Sequence, residues 1–377
     1  MLNVGVIGTG MIGQDHIRRM TTVLSGVRVT AVTDVDATVA AAVGTRIGAT
    51  VHPSGAALIA DPGVDAVVVC SWGPTHEEYV LLSVAAGKPV FCEKPLATTQ
   101  EACLRIVEAE VAYGSRLVQV GYMRRFDFAY RQLKMALDSG DIGVPLMMHC
   151  AHRNASVPSF YEKEMAITDT AVHEIDMVRW MFGAEITAVR VLVPRRSGNG
   201  GDLQDPLLIV LETANGVLVD VETSVNIRYG YDIRGEIVGE NGTAALGSLS
   251  PVSVRLGGQT STPVPADWRE RFLQAYDVEF QEWIHAISGD GHPLGPTAWD
   301  GYAAAVVSDA GVAALRSGDR VPVTLAPRPA LYSPGPSSTP TPSSTSTPSS
   351  ASAPSSASAP VPSPAVPSPS SAAGVIA

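Results

Sequence analysis

The stretch VGVIGTGMIG, Val4 to Gly13, constrains this chain more than any other segment. A β-branched run leads into Gly8-x-Gly10-x-x-Gly13, and a helical pattern, MIGQDHIRRMTTVL, follows directly. Three glycines at this spacing mean little alone. Between a strand and a helix they specify a tight turn, a backbone that a phosphate can approach, and a helix packed close on its strand. The helix start, at Met11 and Ile12, then offers unpaired N–H groups and a positive dipole end to a pyrophosphate. Asp34 ends the next strand, VRVTAVTD, where a carboxylate accepts hydrogen bonds from an adenosine ribose and repels a 2′-phosphate. The expected cofactor is therefore NAD rather than NADP. The competing reading of Asp34 is a turn cap in TDVDA, and Asp36 is a candidate helix N-cap.

Short apolar runs continue to alternate with helical patterns up to about Val120. LNVGVIG, VRVTAVTD, DAVVVCS, KPVFCE and RLVQVGY read as buried parallel strands. Such alternation predicts an N-terminal Rossmann domain, a doubly wound parallel sheet, over residues 1–122. From Gly121 the grammar changes. EITAVRVLV, PLLIVLET, GVLVDVETSVNI and DIRGEIVGE follow without intervening helices, and Asn215-Gly216 is a hairpin signal. Residues 123–332 are expected to form an α+β domain on a large, mostly antiparallel open sheet. Two late helices, DWRERFLQAYDVEFQEWIHAISG and TAWDGYAAAVVSDAGVAAL, would close it, the last packing back on the first domain. Residues 333–377 collapse to Ser, Pro, Ala and Thr, and read as a disordered tail.

The formal charge of −11, with no basic stripe, argues against a nucleic-acid partner. Four scattered cysteines, Cys70, Cys92, Cys103 and Cys150, suggest neither a metal site nor a disulfide framework, and free thiols fit a cytoplasmic protein. No metal is expected. The first residues read as a strand and not a signal peptide, and no apolar run is long enough to span a membrane.

Candidate chemistry clusters at strand ends. CSWGPTHEEY places Ser71, Trp72 and His76 after the fourth strand, near the cofactor crevice. For His76 the alternative is a helix residue pairing within its own turn. FCEKPLATT places Glu93 and Lys94 after the fifth strand, and Pro95 restricts Lys94 to extended geometry while leaving the peptide cis or trans. A lysine there can reach a substrate hydroxyl, or can merely cap a strand. In TDTAVHEIDMVRW, Asp169 and His173 lie four residues apart on one helical face. They are either a buried structural pair or a general base with its orienting carboxylate. Hydride transfer from an alcohol needs such a base beside a nicotinamide, and no metal.

Taken together, Gly8-x-Gly10-x-x-Gly13, Glu93-Lys94-Pro95 and Asp169-x-x-x-His173 resemble the glucose–fructose oxidoreductase/inositol dehydrogenase family. SWGPTHEEYV, VFCEKPLATT, LVQVGYMRRFD, HCAHRN, DTAVHEID, YGYDI and GPTAWDGY are similar to its inositol-oxidising branch, over residues 2 to 332. The resemblance implies NAD-dependent oxidation of myo-inositol to its 2-keto product, scyllo-inosose; the alternatives are an NAD(P)-dependent dehydrogenase of another inositol isomer or a pyranose sugar, and a non-catalytic dinucleotide-binding regulator. On the residues, Asp169 is expected to orient His173; the resemblance implies Lys94 at the reacting hydroxyl and Asp169 and His173 binding inositol hydroxyls, with His173 as general acid/base. It further implies Met123, Arg124, His152, Asn154, Thr170 and Tyr231 around a small polyol substrate, and a homotetramer formed through the open sheets. On the residues alone, Met123 could equally be core filler, Arg124 a structural ion pair, and Tyr231 a solvent-facing strand residue.

Overall fold

Valine-rich runs build a six-stranded, wholly parallel sheet in the computed structural model of the protein, in which residues 1–247 and 252–333 are described. Its strands are β1 (Leu2–Ile7), β2 (Val27–Thr33), β3 (Thr50–Val51), β4 (Ala66–Val69), β5 (Val90–Glu93) and β6 (Val118–Gly121). They lie in the order β3-β2-β1-β4-β5-β6. Helices α1 (Met11–Thr22), α2 (Ala37–Ile47), α3 (Gly55–Ala60), α4 (His76–Ala85) and α5 (Gln100–Tyr113) make the crossovers. β4 and β5 are buried along their whole length, because helices cover both sheet faces. Strand order reverses between β1 and β4, and the carboxyl ends there flank the crevice where such sheets bind ligands.

The second half contains α6 (Phe128–Asp138), β7 (Pro145–Arg153), a π-helical turn Ala166–Ala171, and α7 (Val172–Phe182). Then come β8 (Ile186–Leu192), β9 (Leu207–Thr213), β10 (Leu218–Ser224), β11 (Asp232–Gly239) and β12 (Thr243–Ala245). A small hairpin, β13 (Val254–Leu256) and β14 (Gln259–Ser261), precedes α8 (Trp268–Gly289), α9 (Ala298–Ser317) and β15 (Val321–Pro322). The seven-stranded sheet runs β12-β11-β7-β10-β9-β8-β15, antiparallel except between β7 and β10. This is the parallel-plus-mostly-antiparallel architecture that the strand pattern predicts. Asn215-Gly216 turns β9 into β10, with Gly216 at φ +87°. In β9, Leu207, Ile209 and Leu211 point into the core while Leu208, Val210 and Glu212 lie on the half-open outer face. The Ser/Pro tail expected from residue 333 lies, beyond Ser333, outside the described residues.

Both late helices reach back to the first sheet. α8 starts at Asp267, whose carboxylate accepts from Arg269 N–H, and carries apolar groups every three or four residues: Phe272, Tyr276, Phe280, Trp283, Ile287. Phe280, Trp283, Ile284 and Ile287 pack with Val4, Val6 and Phe91, each burial contributing about 1.5–3 kcal/mol. α9 is drawn in closely by small residues. A Cβ on Gly301 would lie 2.7 Å from Leu96, and one on Gly311 would lie 2.8 Å from Ile167. Farther on, Tyr332 donates to the buried Glu110 carboxylate at 2.6 Å.

One buried group on α8 stands apart. Glu279 is fully buried, and neither carboxyl oxygen has a hydrogen-bond partner among the described residues. Burial, then the neighbouring Glu93, push its pKa well above the ordinary carboxyl value. An acid whose folded pKa is raised stabilises the fold fully below its unfolded pKa and loses that contribution as pH rises toward the folded pKa. Glu279→Gln is therefore expected to match the wild type near pH 4 and to melt at progressively higher temperature than the wild type as pH rises to 8. Parallel melting curves for the two proteins across that range would refute the assignment.

Candidate active site

Two of the three glycines in the first loop are demanded by the loop itself. Gly8 has φ +93°, and a Cβ there would lie 2.5 Å from the Cys70 main chain; a Cβ on Gly13 would lie 2.0 Å from the Gly8 carbonyl oxygen. Gly10 differs, since a Cβ there meets nothing within 4 Å among the described residues. Gly10 is also the N-cap of α1, and no side chain caps that helix. Open space above uncapped N–H groups is what a pyrophosphate requires. Nearby, Asp34 Oδ2 accepts from Thr9 N–H at 2.5 Å and from Thr9 Oγ1 at 3.0 Å, while Oδ1 accepts from Asp36 N–H at 3.0 Å. Burial works against ionisation, but the Asp36 and Thr9 N–H groups hold this carboxyl below its ordinary pKa. Asp36 caps α2. These features fit a dinucleotide.

A cleft of about 310 Å³ runs from the start of α1, past the ends of β4 and β5, to the second sheet. The first half of the chain contributes Met11, Ile12, Ser71, His76, Glu93 and Lys94 to its walls. The second contributes Met123, His152, Asn154, Asp169, Thr170, His173 and Tyr231. Gly8, Gly10, Gly13 and Asp34 lie outside these walls, and Trp72 is 79% exposed beside them. A larger hollow of about 860 Å³ lies on the outer face of the second sheet among Arg153, Asp220 and Glu222, and no candidate residue lines it.

Each wall residue is held by identifiable partners. His76 Nδ1 lies 2.7 Å from the Pro95 carbonyl and Nε2 2.9 Å from the Ser71 carbonyl, so the ring ties two strand-end loops together rather than pairing within its own helix. The Lys94–Pro95 peptide is cis. Glu93 is bound by His16 Nε2 at 2.6 Å, and Arg19 in turn donates to His16 Nδ1. Burial opposes ionisation of Glu93, but His16 and Lys94 hold its pKa below the ordinary value. Thr170 Oγ1 is 2.6 Å from the Tyr161 hydroxyl.

Two expectations need correction. Asp169 does not orient His173. Its Oδ1 accepts from Lys94 Nζ at 2.6 Å, and its main-chain oxygen accepts from the same ammonium at 3.1 Å. The cause is local winding. Asp169 lies in the π turn and His173 in the α-helix after it, so a four-residue step does not stack them as it would in one regular α-helix. Lys94 also offers a charge-assisted bond that a neutral imidazole cannot match, and it is the main cause of the lowered Asp169 pKa. His173 Nδ1 is buried with no hydrogen-bond partner among the described residues. Its ring rests edge-on against Tyr122 and beside His152, with centroids 6.4 Å away in both cases. Burial, then the positive charge of Lys94, keep His173 well below the ordinary histidine pKa. Arg124 does not line the cleft. It is buried beneath it, donating to Glu174 and lying 3.0 Å from His152 Nδ1, because a buried guanidinium needs its counter-ion.

Residues 2–122 match an oxidoreductase family's NAD-binding Rossmann fold, and residues 134–325 match its C-terminal alpha/beta domain. The chain belongs to the Gfo/Idh/MocA oxidoreductase family. It is 55% identical over 335 residues to inositol 2-dehydrogenase of Pseudomonas syringae pv. syringae strain B728a, covering 88% of this chain and 99% of that one. Inositol 2-dehydrogenase 3 of Saccharopolyspora erythraea is 53% identical over 332 residues, covering 88% and 98%. The crystal structure of myo-inositol dehydrogenase from Lactobacillus casei, in complex with NAD(H) and myo-inositol, superposes with a TM-score of 0.86 at 40% identity, covering 88% of this chain and all of that one. Among the described residues no His/Cys/Asp/Glu group could hold a metal, and no helix is long and apolar enough to cross a membrane.

Several residues of this family member's cleft were not singled out from the sequence. Trp268 and Tyr276 reach it from α8, about a hundred residues beyond His173, and nothing local marks them as other than core aromatics. His16, behind Glu93, and Glu174, behind His152, show their partners only in three dimensions.

The glycine geometry makes a paired prediction. Gly13→Ala is expected to destabilise the protein by several kcal/mol, because backbone must move. Gly10→Ala is expected to leave thermal stability within about 0.5 kcal/mol of wild type and yet to weaken NAD binding at least tenfold by fluorescence titration. Unaltered NAD affinity in a folded Gly10→Ala protein would contradict the assigned phosphate position.

Proposed function

We propose that the protein is an NAD-dependent inositol 2-dehydrogenase that oxidises myo-inositol to scyllo-inosose. The observation that carries this reading is the convergence of the Lys94 ammonium and the His173 imidazole in one cleft, which also opens at the N-terminus of α1. The names and bound ligands of the relatives support the same reading.

Bound NAD supplies the hydride acceptor. Lys94, held by Asp169, donates a hydrogen bond to the reacting oxygen and stabilises negative charge as it develops there. His173 accepts the hydroxyl proton. Its depressed pKa keeps the ring neutral and ready to do so. Asp169 acts on the reaction through Lys94 rather than through His173. Met123, His152, Asn154, Thr170 and Tyr231 surround the neutral ring, offering hydroxyl, amide and imidazole groups that suit a polyol. Ser71, Trp72, His76 and Glu93 shape the nicotinamide end. Residues 1–122 serve as the cofactor domain and 123–332 as the substrate domain. The half-open outer face of the second sheet, with Leu208, Val210 and Leu218, serves assembly of a cytoplasmic homotetramer.

Steady-state assays with a panel of inositol isomers and pyranose sugars test the substrate. Lys94→Ala and His173→Ala are each expected to lower kcat/KM on myo-inositol by about 10²–10⁴-fold, with His173→Ala still binding NAD. Near-wild-type kcat in both variants would sink the assigned roles. For the cofactor, Asp34→Ala is expected to raise the KM for NAD by roughly tenfold or more and to improve use of NADP, since it removes both an acceptor for ribose hydroxyls and a repelling charge. An unchanged NAD/NADP ratio would show that Asp34 serves only its turn.

A further inference from the structure

We infer that Glu174, on α7 next to His173, is a positioning residue that keeps the proton of His152 on Nδ1, so that His152 presents Nε2 to the cleft as a hydrogen-bond acceptor for one substrate hydroxyl. The inference rests on the polyol reading of the cleft and assigns the polarity of one of its contacts.

His152, Glu174 and Arg124 are all buried, at 3%, 1% and 1% exposure, so their hydrogen bonds must be satisfied among themselves. Glu174 Oε1 accepts from Arg124 Nη1, and Oε2 lies 3.0 Å from His152 Nδ1. Arg124 Nη2 also lies 3.0 Å from His152 Nδ1. These two neighbours make opposite demands, since a carboxylate only accepts and a guanidinium only donates. The accounting selects one. Among the described residues Glu174 Oε2 has no donor except His152. Arg124 Nη1 has two acceptors, Glu174 Oε1 and the Tyr130 hydroxyl at 3.4 Å, so a proton on Nδ1 displaces only the Nη2 N–H, one donor of a delocalised cation whose charge Glu174 already offsets. A lone pair on Nδ1 would leave an ionised buried oxygen facing another acceptor, which is the more costly fault because the charge is concentrated there. Burial opposes ionisation of Glu174, but Arg124 and His152 hold its carboxyl down to about 2. Burial likewise keeps the His152 ring below the ordinary histidine pKa.

A neutral ring with its proton on Nδ1 has a bare Nε2. The neighbour of that nitrogen is the Tyr231 hydroxyl, 3.3 Å away, a long contact for such a pair. His152 and Tyr231 both line the cleft. A substrate hydroxyl can therefore donate to Nε2 where the tyrosine bonds it only loosely. The arrangement parallels a metal-binding histidine, in which the partner of one ring nitrogen decides what the other can do. Here the partner sits on the same helix as His173, so the proposed proton acceptor and the proposed hydroxyl reader share one rigid support.

Two measurements on the full-length protein test this. The first needs no substrate. In ¹⁵N-histidine-labelled protein near neutral pH, with the His152 signals assigned from His152→Asn, Nδ1 is expected at a pyrrole-type shift and Nε2 at a pyridine-type shift. The reverse pattern overturns the proposal. The second uses a series of deoxyfluoro-myo-inositols, in which fluorine keeps the size of a hydroxyl but cannot donate. At one ring position other than the reacting one, fluorine is expected to lower wild-type kcat/KM on the order of tenfold to a hundredfold, mainly through KM. His152→Asn keeps an amide that can reach Glu174 but has no group at the Nε2 position. It is expected to treat that fluoro compound and myo-inositol alike. Glu174→Gln, checked for folding by circular dichroism, is expected to reduce the same discrimination, since an amide can serve either tautomer. If His152→Asn keeps the wild-type fluoro profile, the proposal is wrong. Absence of turnover on every inositol would instead defeat the polyol reading, and the nitrogen shifts would still decide the tautomer.

Discussion

The ion pair between Lys94 and Asp169 is the constraint on which the site depends. Lys94 leaves the end of a strand in the first sheet, and Asp169 sits in the turn that leads into α7 beneath the second. A 2.6 Å charge-assisted hydrogen bond joins them across the cleft, and a second bond from the same ammonium reaches the Asp169 main chain. The carboxylate is partly open to solvent, so the pair avoids most of the desolvation cost of a fully buried one. Its importance is geometric. Two bonds to one residue fix the ammonium in position as well as in charge, and the π turn provides the backbone shape that lets Asp169 supply both.

Beneath this pair the charges are largely buried, and they follow a simple pattern. Consecutive arginines, Arg124 and Arg125, engage alternate acids on α7, Glu174 and Asp176. Asp300, in the capping box of α9, accepts from Arg125 and Arg179 as well as from its own helix start. Removing one partner of such a pair strands a buried charge, which costs about 3–5 kcal/mol, although the intact pair contributes little net stability. The network is better understood as fixing register. It locks α7, α9 and the turn after β6 to one another, and α7 and that turn carry His173 and Met123 to the cleft.

The fold was legible because its signals are local. Gly8-x-Gly10-x-x-Gly13 between a strand and a helix, the valine runs of β4 and β5, and the Asn215-Gly216 turn each specify their own backbone. The cleft was legible to the extent that its residues sit at strand ends, as Lys94 and Ser71 do, or next to a recognisable pair. What the sequence could not reveal was who bonds whom. The spacing of Asp169 and His173 suggested a stacked pair because it assumes 3.6 residues per turn throughout, and the π turn breaks that assumption. The resemblance implies a pocket position for Arg124, while the residues alone leave a structural ion pair open; nothing in MRRFD separates a wall residue from one buried behind it, and the structure shows the ion pair. Trp268 and Tyr276 were missed because α8 returns to the first sheet only through long-range packing.

The division of labour in the proposed reaction follows from counting bonds. An ammonium has three N–H groups and no lone pair. Lys94 spends two of them on Asp169, so one remains for substrate, enough for a single oxygen. It can stabilise the oxygen that is losing its proton but cannot take the proton itself. That role requires a lone pair, and in the proposed reaction it falls to His173, whose pKa burial and the charge of Lys94 hold well below the ordinary histidine value. The same lysine thus does two things at once. In the proposed reaction it would lower the cost of negative charge on the substrate, while its charge helps hold the His173 pKa down. Moving Lys94 closer to His173 would weaken the base further, and moving it away would leave the alkoxide unsupported. The Asp169 clamp holds the ammonium between those two failures.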